Sequence, residues 1–357
     1  MRRRDNQYFG YVTTLIFLRA LGLAFAVSVW LVTTGAKAAG IQFIEVPGDG
    51  DKPALAGMVW SPCAATAVDV MVGGVPLPGV KDCPIAGNQL PLIVFSHGRR
   101  GNFLGHHDTA ETLADARFIV AALNHPGDNS TDVSRTDELS ILIERAADIK
   151  RLTDYMLGAW SDAATIDPAR VGLFGFSRGG YTGLVVIGGN PDFRAALTYM
   201  FPPGSVMLKC QQIREKKVPP QPLVHDLRVK AAVLADPGYP FMFDRGGLKN
   251  VTIPVRLWRS ERGGDGLVPE AVIALVPRFP KRPEYHVPAM SAHFSFLAPC
   301  GPEQTSQGLC PLISLTSRRA QGEMAIDYPA GFGSGGACHE RVLRTSQGQH
   351  PLRLSVF

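Results

Sequence analysis

The 357-residue sequence lacks a strong charge excess: 36 Lys and Arg against 31 Asp and Glu leave a net +5. Part of that sits in the opening MRRR, and no basic stripe runs elsewhere, so no nucleic-acid partner is implied. Cysteines are few, six in all, and none stands at C-x-x-C spacing, which argues against a structural zinc site. There is no internal repeat, and no linker long enough to divide the chain into independent domains. Charged residues are 19% and hydrophobic ones 45%, the balance of a chain that buries a core and not of a disordered one. At this length the core is one large unit, or one unit with insertions.

The N-terminus has the pattern of a targeting segment. Arg2, Arg3 and Arg4 precede the apolar run ALGLAFAVSVWLV (20–32), and Ala36-Lys37-Ala38 supplies a small-x-small cleavage pattern. Residues 1–38 therefore read as a signal peptide, with an uncleaved N-terminal anchor as the alternative and a periplasmic or secreted location as the expectation. The run is short for a bilayer span of about 20 residues, and no lipid-attachment cysteine follows it. In an oxidising compartment the six cysteines pair. Cys63 with Cys83 and Cys300 with Cys310 would close short loops, each worth roughly 3 kcal/mol, leaving Cys210 with Cys338 by elimination.

From residue 40 apolar runs alternate with helical patterns, which predicts a mostly parallel sheet covered on both faces. ALAGMVWSP (54–62), LPLIVFSHG (90–98), FIVAALNHPG (118–127), VKAAVLADP (229–237), VTIPVRLWRS (251–260) and PEYHVPAM (283–290) read as strands. VGGVPLPGVKDCPIAGNQ (72–89) reads as a loop. TAETLADA reads as a short helix. In 137–157, Leu142, Ala146, Ile149, Leu152 and Met156 recur at steps of three and four, one face of a longer helix. Residues 190–228, rich in proline, read as a lid-like insertion.

A strand, then Gly175-Phe-Ser177-Arg-Gly179, then a helix is the context of a nucleophile elbow. Its glycines, Gly175 and Gly179, allow the sharp turn, and Ser177 stands at the tip. A serine hydroxyl needs a base oriented by a third group. Asp265, in the Gly-rich loop after the strand IPVRLW, is the expected acid, with Glu261 competing and a helix cap as its bland alternative. His293, among the small residues of SAHFSFLAPC, is the expected base; His286 sits nearer the strand interior. The oxyanion hole would take the N–H groups of Arg178 and Arg99, with their side chains as candidate lining for the mouth. His106 and His107 are adjacent and point apart, so no metal is expected there; Asp108 reads as a helix cap and His125 as a turn element near the pocket rim.

LPLIVFSHG, FIVAALNHPGD, RVGLFGFSRGG, DGLVP and SAHFSFLAPC together resemble the α/β-hydrolase superfamily. Within it the chain is most similar to bacterial predicted dienelactone hydrolases, which are related to platelet-activating-factor acetylhydrolases. The resemblance spans roughly 54–300. It implies an eight-stranded, mostly parallel sheet, ester hydrolysis through an acyl-enzyme, and by position Ser177, His293 and Asp265 as the trio. The chain departs from dienelactone hydrolases in carrying serine where they use cysteine. It also lacks the periodicity of their closing helix, so a catalytic domain over 40–310 and an irregular segment over 311–357 are expected. A serine carboxylesterase without metal or organic cofactor is the reading, acting on a small-molecule or lipid ester with transient membrane-surface contact. A lipase or phospholipase A2-like acylhydrolase on short acyl chains and a catalytically silent hydrolase-fold binding protein are the alternatives.

Overall fold

The structure, a computed structural model, describes residues 38–195, 208–217 and 222–299. The expected signal peptide, the segment 311–357 and the pairings of Cys300 with Cys310 and of Cys210 with Cys338 lie wholly or in part outside those residues. Ten strands form one sheet: β1 (Ala39–Val46), β2 (Leu55–Pro62), β3 (Val68–Val72), β4 (Val75–Lys81), β5 (Leu90–Ser96), β6 (Ile119–Leu123), β7 (Ile166–Phe176), β8 (Val229–Ala235), β9 (Val255–Trp258) and β10 (Glu284–His286). Their order is β10-β9-β8-β7-β5-β6-β2-β1-β4-β3. From β6 to β10 every neighbouring pair is parallel, whereas β2 runs antiparallel to both β6 and β1.

The central strands are apolar over β6, 90–95 of β5 and 171–176 of β7 because both faces are covered there. On one face Leu92 and Val94 of β5, Leu173 of β7 and Leu234 of β8 pack with helices α2 (Ile141–Leu157) and α3 (Arg178–Val186). On the other, Ile93, Phe95, Phe174, Phe176 and Val233 pack with Ala110 and Leu113 of α1 (His107–Asp115). The expected stripe on α2 is there: Leu142, Ala146, Ile149, Leu152 and Met156 are all buried in that first layer. Of the expected insertion, α4 (Leu208–Arg214) is described, and Gln212 Oε1 accepts the Leu139 N–H at the start of α2 (2.8 Å).

Two strands beyond the expected eight come largely from a segment read as a loop. Val72 pairs with Val75 across Gly73-Gly74, whose φ values of 55° and 81° suit a two-residue hairpin turn. The next pair, Met71 with Pro76, and then Asp69 with Pro78 fall at the non-hydrogen-bonded positions of β3–β4. The missing proline N–H groups therefore face β1, which pairs with β4 only from Gly79 onward. Proline spacing hid a strand that proline tolerates. The expected Cys63–Cys83 disulfide is present, with Cα atoms 6.0 Å apart.

After β5 the chain goes to β6 on one side and then to β7 on the other. Helices α1 and α2 make these two crossovers on opposite faces. The carboxyl ends of β5 and β7 thus open a crevice at the reversal of strand order, where such sheets bind ligands.

Candidate active site

Ser177 directly follows β7 with φ 54° and ψ −118°, a conformation non-glycine residues seldom adopt. Three hydrogen bonds hold it: its N–H donates to Ala235 O (2.9 Å), and its carbonyl accepts from Gly238 N (2.7 Å) and Tyr181 N (3.1 Å). The flanking glycines have no room for a side chain. A Cβ on Gly175 would lie 2.2 Å from Gly179 O, and one on Gly179 would lie 1.8 Å from Ser96 O.

His293 opens a short 3-10 turn, His293–Phe296. Its N–H donates to Gly263 O (2.8 Å), and its ring lies against Phe176 with centroids 4.8 Å apart. Nε2 stands 3.0 Å from Ser177 Oγ, and Nδ1 stands 3.1 Å from a carboxylate oxygen of Asp236. Both His293 and Asp236 are buried, at 2% and 0% exposure.

The acid against His293 is Asp236, not Asp265 as expected. Asp236 follows β8, the neighbour of β7, and its N–H donates to Trp258 O (2.8 Å). Its Oδ1 accepts the Ser260 N–H (2.7 Å), and Oδ2 accepts the Ser260 hydroxyl (2.5 Å) as well as facing His293. Asp265 instead occupies a tight turn with Gly266, φ 50° and 78°, closed by the Gly264–Leu267 bridge, and its side chain is exposed. Asp-Gly is a preferred dipeptide for such a turn. Glu261 is no closer to the role: it is exposed, and its Oε2 accepts the Met290 N–H. The signal for Asp236 was in VKAAVLADP, an acid at the carboxyl end of a buried strand, where this fold class collects functional groups. His286 pairs with Glu284 (2.9 Å) and stacks on Trp258.

Gly98 lies over the elbow: a Cβ there would sit 3.3 Å from Ser177 Cβ and 3.1 Å from a Phe176 ring carbon. The next residue is Arg99, and Arg178 heads α3 directly after Ser177, so one expected oxyanion amide adjoins the serine in sequence and the other follows the glycine packed on it. Their side chains do not line the mouth together. Arg99 pairs with Asp137 (3.0 Å). Arg178, only 2% exposed, turns inward to Asp128 Oδ2 (2.8 Å), Thr136 O (2.9 Å) and Tyr239 Oη (3.0 Å).

Beneath the elbow lies a buried polar network that the sequence did not disclose. Arg145 donates to Asp128 Oδ2 (2.6 Å) and to the His97 carbonyl. Burial opposes the Asp128 carboxylate, but Arg145 and Arg178 hold its pKa well below the usual range. Burial lowers Arg145 to about 10. Ser96 Oγ stands 3.0 Å from His125 Nε2, and His125 Nδ1 stands 3.0 Å from Asp148 Oδ2. This repeats the Ser-His-Asp connectivity of the site, yet Ser96 and His125 are fully enclosed. His125 is thus a core residue and not the rim element expected. Burial, then Arg145, holds it far below its ordinary value, and burial pushes Asp148 up to about 7.

His106 and His107 diverge, Nδ1 of the first on Phe296 O and of the second on Glu111. Asp108 Oδ1 accepts the Thr109 N–H in the first turn of α1. Among the described residues no three His, Cys, Asp or Glu side chains gather as a metal site, and no helix is long and apolar enough to cross a membrane.

No protein-family model and no curated protein matches the sequence. Among solved structures, a ferulic acid esterase from Streptomyces cinnamoneus superimposes over 82% of this chain and 89% of that one, at 19% identity and a TM-score of 0.54. An acylaminoacyl peptidase from Pyrococcus horikoshii aligns over 82% of this chain and 42% of that one, at 14% identity and a TM-score of 0.47. At 19% identity the likeness to the esterase speaks for the path of the chain and leaves the reaction to the site.

Proposed function

We propose that this chain, which has an α/β-hydrolase fold, is a serine hydrolase that cleaves carboxylic esters. The carrying observation is the unbroken path from Ser177 Oγ through the His293 ring to Asp236, at 3.0 and 3.1 Å. Asp236 accepts the hydrogen bond of the His293 Nδ1–H, which holds the tautomer whose Nε2 lone pair faces the serine hydroxyl. His293 removes that proton as Oγ attacks the ester carbonyl. The negative charge on the former carbonyl oxygen falls to the N–H groups of Arg99 and Arg178. His293 then gives its proton to the departing alcohol, and water, activated by the same ring, releases the acid from Ser177. Each step is closed by these residues without a cofactor.

The Cys63–Cys83 disulfide supports an oxidising, exported location, since such bonds persist outside the cytosol. The substrate class in this reading is a small-molecule or lipid ester, met in solution or at a transient membrane contact.

The test is hydrolysis of p-nitrophenyl esters over a range of acyl lengths, together with labelling by a fluorophosphonate. Wild type is expected to turn over and to be labelled at Ser177, and Ser177→Ala to lose both. Wild-type turnover surviving in Ser177→Ala, without labelling, overturns the mechanism; a wild type inert to both leaves the silent binding protein. Turnover of short-chain acyl esters that rises at a lipid interface selects the lipase or phospholipase A2-like acylhydrolase.

A further inference from the structure

We infer that His97 is a positioning residue that aims the Arg99 N–H at the reacting oxygen, a role resting on the ester-hydrolase reading above. The geometry leaves its ring one tautomer. His97 Nε2 lies 3.2 Å from the backbone nitrogen of His125, which has only a proton to offer. Nε2 must therefore carry a lone pair, and the ring proton sits on Nδ1. Nδ1 is 2.7 Å from Gly98 O and donates to it.

Gly98 O accepts a second hydrogen bond from the Gly101 N–H at 3.1 Å, so two donors fix its direction. The preceding carbonyl, of His97 itself, is held by the Arg145 guanidinium. In a trans peptide the C=O and the N–H point opposite ways. Pinning Gly98 O toward His97 and Gly101 therefore turns the Arg99 N–H away from them. The same peptide begins at Gly98, whose Cβ position is 3.3 Å from Ser177 Cβ, so the amide is delivered beside the nucleophile.

A doubly protonated ring would set Nε2–H against the His125 N–H and break the arrangement. Burial first, and Arg145 second, lower the His97 pKa to about 3, so the ring stays neutral over the working range. The energetic logic is that of a preorganised oxyanion donor: its direction matters where charge develops and little where neutral ester binds.

The experiment compares His97→Ala, His97→Asn and His97→Gln by kcat and KM on a p-nitrophenyl ester, with fluorophosphonate titration counting native sites. His97→Ala is expected to lower kcat roughly 10- to 100-fold, with KM within about threefold, a loss below that of deleting an oxyanion donor outright. Asn places its amide nitrogen where Nδ1 stands and is expected to recover most of kcat. Gln reaches only the Nε2 position, where its Oε1 accepts the His125 N–H, and leaves Gly98 O without its donor, so it does not. Nitrogen NMR of the wild type supplies a readout independent of variant folding: His97 should show a protonated Nδ1 and a bare Nε2. An Nε2–H resonance at His97 overturns the inference, as does wild-type kcat in His97→Ala or equal impairment in Ala and Asn. Absence of both turnover and labelling in the wild type is the separate failure of the ester-hydrolase reading, and the aiming role falls with it while the tautomer remains.

Discussion

The Asp236 carboxylate accepts the Ser260 amide on one oxygen and shares the other between the Ser260 hydroxyl and His293 Nδ1. Asparagine keeps the shape but must turn an NH2 toward one of these donors. Either the Ser260 amide loses its acceptor or His293 is forced into the tautomer whose Nε2 carries a proton. Asp236→Asn is thus expected to cut kcat by about 10³- to 10⁴-fold on a p-nitrophenyl ester. Asp265→Asn, in an exposed turn, should stay within about twofold, because Asn serves that turn as well. Equal losses in the two variants would mean that the hydrogen bond to His293 is not what orients it. Both aspartates follow a strand and precede a Gly or Pro turn, so the string alone ranks them poorly.

At the scale of elements, the β3–β4 hairpin hangs on the far end of the sheet, beyond β2 and β1. The Cys63–Cys83 bond, spanning 20 residues, ties the end of β2 to the residues just after β4. Closing a loop of this size contributes roughly 3 kcal/mol through the unfolded chain. Cys83→Ser is expected to lower unfolding free energy by about that amount in denaturant titration. It should leave kcat unchanged, since Ser177, His293 and Asp236 belong to other elements. A fall in kcat at unchanged stability would contradict this separation. The helices and central strands were legible because their apolar spacing matches their periods, 3.6 in α2 and continuous in β5. The hairpin was not, because Pro76 and Pro78 speak against a strand unless the partner's register is known.

Across the whole molecule, buried titratable groups set the response to acid. Burial lowers His97 to about 3, His106 to about 4 and His125 well below its usual value. Each takes up a proton on unfolding below about pH 6.5, so each withdraws stability as pH falls toward its folded value. Burial raises Asp148 to about 7 and Asp108 to about 6. These two hold protons in the folded state that the unfolded chain has released, so they act in the opposite sense between about pH 4 and 7. Three imidazoles against two carboxyls leave roughly one net proton taken up near pH 5. Stability should therefore fall by about 1.4 kcal/mol per pH unit between pH 6 and 4.5, measured by denaturant unfolding. A flat or rising profile there would show that the histidines are not held neutral.

Sequence by itself determined the α/β class, the two-faced burial of the central strands and the turn on which Ser177 stands. These follow from local rules: residue period, and the need for glycine where backbones meet within van der Waals distance, as Gly179 meets Ser96. It also singled out His293 and the Cys63–Cys83 pair. Only the tertiary structure decided which acid faces His293, because that depends on β8 lying beside β7 and on the Ser260 loop closing over its end. It likewise decided that Arg178 turns its charge inward to Asp128, and that His125 lies in the core with Asp148. Each is a pairing of polar groups from separate elements, and burial makes such pairing obligatory.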